Sequence, residues 1–142
     1  MFSFKIIMNR EELEKKFKVF EKEIIQINEQ VSVVEQATID LEKISLGLDE
    51  IAGKKDSEIL APMGRGIFVK TKLISEELTV DIGGGNFVTK TVPETKEMLD
   101  EQIKKLNSMK KELEKELEKI EEEITKVMGE HEENKFKHNH PH

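Results

Sequence analysis

Cysteine, tryptophan and tyrosine are absent from this sequence, and proline occurs only 3 times in 142 residues. Without cysteine there are no disulfides, no thiolate metal ligands and no cysteine nucleophiles, which fits a reducing compartment. Aromatic residues amount to 5%, too few for a large compact core. No apolar run approaches the roughly 18 residues that a membrane span needs. The opening residues 1–8, broken early by Lys5, are too short for a secretory leader. The expectation is a cytoplasmic protein with no membrane partner. The net charge is -7 and nothing gathers the 23 basic residues into a patch, so no nucleic-acid partner is expected either.

Charge is abundant instead, at 37% of residues against 36% hydrophobic. A globular domain carries about 25% charged residues. The surplus Glu and Lys fit long helices with solvated faces. Residues 9–53 read as the first helix. Asn9-x-x-Glu12 has the side chains of a capping box. Apolar residues follow at Leu13, Phe17, Phe20, Ile24, Ile27, Val31, Val34 and Leu41. Their steps alternate between 4 and 3 once Thr38 fills the gap, which is a heptad seam. Ile44, Leu48 and Ile51 continue the apolar set, and the two 3-steps from Thr38 to Leu41 to Ile44 predict a phase break with local overwinding. Gly53 is the expected stop.

Residues 54–92 change character. Strands are expected over 58–63 and 67–74, joined by Gly64-Arg65-Gly66, then over 78–82 and 87–92 around Gly83-Gly84-Gly85-Asn86. Pro62 marks an edge, and the sum is two hairpins. Residues 93–128 return to a helix after a second capping box, Thr91-x-x-Glu94. Its seam is Leu99, Ile103, Leu106, Leu113, Leu117, Ile120, Ile124 and Val127, unbroken if Lys110 takes one place. Residues 129–142 are polar and expected to be a disordered tail. The fold class is therefore α+β: a long antiparallel two-helix coiled coil with two β-hairpins inserted between the helices.

Helices of roughly 44 and 36 residues, about 65 and 55 Å long, fold back on one another and bring both termini to the tip opposite the hairpins. Isolated hairpins are marginal in water and leave edges open. The strands thus call for partners from other chains, pairing into a shared sheet or barrel. The residues expected to carry that oligomerisation are Ile59, Leu60, Ile67, Phe68, Val69, Leu78, Val80, Ile82, Phe87 and Val88.

The hairpin region Ile59-Leu60-Ala61-Pro62-Met63-Gly64, then Gly66-Ile67-Phe68-Val69-Lys70, then Gly83–Gly85 with Phe87-Val88 resembles the prefoldin family. It matches the hydrophobic-x-Pro-hydrophobic-Gly, F-hydrophobic-K and G-x-G-x-F-V pattern, and two hairpins rather than one resemble the archaeal alpha class. The resemblance covers about residues 10–128; the leader 1–7 before Met8 lies outside it, so Met1 and Met8 are both candidate starts. It implies an ATP-independent chaperone without cofactor: a hexamer of two alpha and four beta subunits whose strands form an intersubunit β-barrel platform and whose coiled-coil tips hold unfolded polypeptides and deliver them to a group II chaperonin. A self-assembling, filament-forming scaffold of the same family is the alternative.

Five of the seven Phe lie near the chain ends. The expected client-binding set is Phe2, Phe4, Ile6, Ile7, Met8, Leu13, Phe17, Val127, Met128 and Phe136. Met suits promiscuous contact because it is flexible and polarizable. Other constellations are weaker. The glycine run lacks the Gly-x4-Gly-Lys-Ser/Thr context of a phosphate cradle, and reads as a turn. His138-x-His140-x-His142 reads as a solvated tail rather than a metal site. Glu121-Glu122-Glu123 reads as a solvated helix face, and no arrangement fits acid–base catalysis. The protein is not expected to be an enzyme.

Overall fold

The structure, a computed structural model, describes residues 9–139, with side chains described through Glu130. The element order is α1 (Arg10–Ile51), β1 (Glu58–Gly64), β2 (Ile67–Lys72), β3 (Leu78–Asp81), β4 (Phe87–Lys90) and α2 (Val92–Asn139). Two long helices with two antiparallel hairpins between them make this the expected α+β architecture. The chain divides into two compact units: a terminal unit, up to Glu35 and from Ser108, and a hairpin unit, Gln36–Asn107.

Helix ends follow local chemistry. Asn9 Oδ1 accepts from the Glu12 N–H at 2.8 Å, which satisfies one of the free donors of the first turn. At α2 the capping box is complete: Thr91 N donates to Glu94 Oε1 at 3.1 Å, and Glu94 N donates to Thr91 Oγ1 at 3.2 Å. Thr91 thereby leaves the strand, and Val92 enters the helix as a buried residue. That is why β4 ends at Lys90 and not at Val92. α1 ends before Gly53, whose φ of 74° is the left-handed conformation of a helix stop. α2 does not end at Met128. It runs through Gly129 to Asn139, correcting the expectation of a disordered tail from residue 129. One helical glycine costs only about 1 kcal/mol, and Glu and Lys on either side are good helix formers.

In the terminal unit, Leu13, Phe20, Ile27 and Val34 are buried, with Phe17, Ile24 and Val31 half-buried between them. On α2, Val127 is buried and Leu113, Leu117, Ile120 and Ile124 are half-buried at seam spacing, with Ile120 and Ile124 packed on the cluster of Leu13, Phe20 and Val127. The segments run antiparallel: Lys110 Nζ lies 3.2 Å from Glu35 Oε1, while Val127 clusters with Leu13 and Phe20. Lys110 occupies the seam place left for it, and a second carboxylate, Glu114, lies 3.9 Å away.

In the hairpin unit the seam corrects the reading of the sequence. Ser45 is half-buried, and Ile44 is 51% exposed. The places Thr38, Leu41, Ser45 and Leu48 keep the 4–3 alternation without a break. The expected overwinding is therefore unnecessary. Geometry decided it: a small polar side chain on the seam leaves the helix phase intact, whereas burying Ile44 would rotate everything beyond it. Leu48, Val92 and Leu99 form the core of this unit, with Leu41, Ile51, Met98 and Leu78 packed against it.

Two measurements check this phase and its capping. Leu48→Ala is expected to lower unfolding stability by about 2–5 kcal/mol, and Ile44→Ala by less than about 0.5 kcal/mol. Chemical denaturation giving equal losses would contradict the phase. Thr91→Ala is expected to cost about 1 kcal/mol. The backbone and side-chain hydrogen bonds from Thr91 hold the Glu94 carboxyl below its ordinary range. The carboxylate's contribution is therefore present above the unfolded-state pKa and lost as pH falls through the depressed folded-state value. Acid titration of Glu94→Gln should lack that loss; an unchanged acid limb would show that the cap does not report on folding.

Candidate functional site

The hairpin unit offers chemistry through surface rather than through a pocket. β1 pairs with β2 so that Ile59 faces Thr71 and Ala61 faces Val69, while Leu60 faces Lys70 and Pro62 faces Phe68. Side chains alternate between faces along a strand. Ile59, Ala61, Val69 and Thr71 therefore share one face, with Leu60, Pro62, Phe68 and Lys70 on the other. Both carry apolar groups in solvent: Leu60 is 60% exposed, Phe68 57% and Ile67 62%. The turn, Gly64-Arg65-Gly66, has positive φ at all three residues. The register shift between Pro62 and Gly64 leaves Met63 as the bulged residue, and it too is exposed.

The second hairpin behaves differently. Leu78, Val80, Val88 and Lys90 lie on one face and are half-buried; Thr79, Asp81, Phe87 and Thr89 lie on the other and are exposed. Leu78 docks on the helical core. In its turn, Asp81 Oδ1 accepts from Gly83 N at 2.8 Å, and Asn86 N donates to Gly83 O at 3.1 Å. Gly83 thus has both its N–H and its C=O bonded within the turn. The two hairpins form separate two-stranded sheets, so each keeps two outer strand edges.

Of the expected oligomerisation residues, Leu60, Ile67, Phe68, Val69, Ile82 and Phe87 are exposed, and Ile59, Leu78, Val80 and Val88 are half-buried. The expected client-binding set divides. Leu13 and Val127 are buried and Phe17 packs against them, its ring 6.3 Å from that of Phe20. In the isolated chain these three pack into the seam of the terminal unit, Leu13 and Val127 buried and Phe17 half-buried. Met128 is 48% exposed. Phe2, Phe4, Ile6, Ile7 and Met8 lie outside the described residues, as do the side chain of Phe136 and those of the terminal histidines.

Sequence reasoning missed the apolar residues that stand off the seam: Val19, Ile25, Val33, Ile39, Leu46 and Met109, all exposed. The signal was present, as apolar residues out of phase with the 4–3 alternation. Ile74, between the hairpins, is 79% exposed. Among the described residues no group of three or more His, Cys, Asp or Glu is placed to hold a metal ion, and no helix is long and apolar enough to cross a membrane.

Known proteins share this arrangement. The family model "Prefoldin subunit" matches residues 13–135. The prefoldin subunit alpha of Methanobrevibacter smithii is 32% identical over 81 residues, 56% of this chain and 56% of that protein. The match thus spans little more than half of that relative's length. The cryo-EM structure of filamentous PFD from Methanocaldococcus jannaschii has the same fold, with a TM-score of 0.73 at 16% identity over 82% of this chain and 98% of that one.

The exposed ribbon gives a direct expectation. Phe68→Ser combined with Leu60→Ser removes apolar surface that no described part of this chain covers, so monomer helicity by circular dichroism should stay unchanged. Association measured by sedimentation should weaken by at least about tenfold, or 1.4 kcal/mol. Undiminished association would rule out this face as an interface.

Proposed function

The chain belongs to the prefoldin family as a subunit of the alpha type, and on that premise we propose that it is an ATP-independent holdase working inside an oligomer. The observation that carries the reading is the first hairpin, an open-edged ribbon with exposed apolar groups on both faces. Burying a side chain the size of Leu or Phe contributes about 1.5–3 kcal/mol, and each unpaired strand edge adds backbone donors and acceptors. Strands of other subunits satisfy both demands, closing a shared β-barrel platform. The partner of choice is a prefoldin beta subunit, in a hexamer of two alpha and four beta chains.

Clients are non-native polypeptides, held near the termini by Met128, the leader residues Phe2, Phe4, Ile6, Ile7 and Met8, and Phe136, with Leu13, Phe17 and Val127 joining them where the seam frays. They pass to a group II chaperonin in the cytoplasm. Holding needs exposed apolar groups and no chemical step, so the reading includes neither catalysis nor a cofactor. A second reading is self-assembly into a filament-forming scaffold; it is favoured by the likeness of fold to a PFD described as filamentous.

One experiment separates these readings. The chain is purified alone and with a co-expressed beta-type subunit, sized by light scattering, and tested for slowing the aggregation of a denatured protein on dilution without ATP. A discrete complex that suppresses scattering several-fold is expected. Large polymers of the chain alone would favour the scaffold, and a discrete complex without suppression would refute the holdase.

A further inference from the structure

A groove in the terminal unit has a chemistry that the seam does not require. It encloses about 690 Å³ between α1 and α2, and Val33 and Met109 stand on it 69% and 51% exposed. A second groove of about 410 Å³ continues it, sharing Gln26, Gln30 and Glu116. The combined lining carries five carboxylates, Glu23, Glu29, Glu112, Glu116 and Glu123, against one ammonium, Lys119. None of the five has an ion-pair partner among the described residues.

Seam packing accounts for neither feature. Val33 sits beside buried Val34 and Met109 beside the seam lysine, so both flank the helix–helix contact without filling it. Exposed branched and thioether side chains between unpaired carboxylates fit a ligand that brings apolar groups and positive charge together. From Glu23 to Val33 the groove follows α1 for about 15 Å, or roughly three helical turns. An amphipathic helix laid in such a groove presents i, i+3, i+4 and i+7 anchors.

We propose that this groove docks a basic amphipathic helix of another protein. The helix places its apolar face on Val33 and Met109 and its Lys or Arg side chains against Glu29, Glu112 and Glu116. The carboxylates steer the encounter and make it salt-dependent. The site lies on the flank of the terminal unit and is separate from the hairpin surfaces, so it stands whether or not the holdase reading does.

The test is fluorescence anisotropy with the full-length chain. The probes are a labelled Lys/Leu amphipathic peptide of about 12 residues and its Glu/Leu counterpart. The Lys/Leu peptide should bind at least about tenfold more tightly, and weaken several-fold as salt rises. Met109→Ser with Glu112→Gln and Glu116→Gln should lose about tenfold in affinity. Glu118→Gln with Glu121→Gln and Glu122→Gln, on an acidic patch lined by no apolar residue, should leave it unchanged. Circular dichroism confirms that each variant is folded. Equal loss in both triple variants would reduce the effect to general charge attraction and overturn the proposal, as would equal binding of the two peptides. Tighter binding by the full-length Phe2→Ser/Phe4→Ser variant would overturn it in favour of the chain's own leader as the occupant.

Discussion

Two helices held together by a seam of 4–3 spaced side chains constrain everything else in this protein. The seam is one residue wide at each layer, so it holds the helices in register but encloses no interior. Leu13, Phe20, Ile27, Val34 and Val127 in one unit, and Leu48, Val92 and Leu99 in the other, are the buried apolar residues among those described; no side chain among the described residues is fully buried in the strict sense that a globular core would show. Stability is therefore distributed along the contact, and every residue that leaves the seam stands at the surface. That geometry turns an apolar side chain off the seam into a feature that asks for an explanation.

The polar places on the seam matter as much as the apolar ones. Lys110 sits where an aliphatic residue would pack best, with Glu35 on the facing helix and Glu114 one turn away. A cation at a seam position lowers stability but penalises slipped alignments, because only one register supplies its carboxylates. In the hairpin unit, Lys96 reaches Asp49 across the helices. Exposed ion pairs contribute about 0–1 kcal/mol each, so they select among alignments more than they strengthen the one chosen.

Much of this was legible in the residues. Spacing alone gave the helices and most of their seams, and turn residues gave both hairpins, because capping boxes and glycine runs act locally. The phase at Ile44 and Ser45 was not legible. Hydrophobicity ranks Ile44 above Ser45, but the seam is continuous in space and keeps its rotation through a weak layer. The reach of α2 past Gly129 was missed for a different reason: polarity was read as disorder, although Glu and Lys are good helix formers. Leu13, Phe17 and Val127 were legible twice over, as apolar residues near the chain ends and as heptad places, and the structure packs them together at the seam. Val33 and Met109 were less legible because they flank the heptad seam, out of phase with its 4–3 spacing.

The two hairpins differ in how they are held. β3–β4 is anchored on the helical core through Leu78, whereas β1–β2 carries apolar groups on both faces, and the sheets share no strand. Under the proposed assembly, in which both ribbons take partners, the subunit has a valence greater than one. A neighbour added to one ribbon leaves the other unoccupied, so growth continues until geometry closes it. Whether a set of such units ends as a ring or runs on as a fibre is fixed by the rotation between successive members. In such an assembly the Leu73–Glu77 connection, which is the stretch of chain between the two ribbons, bears on that rotation.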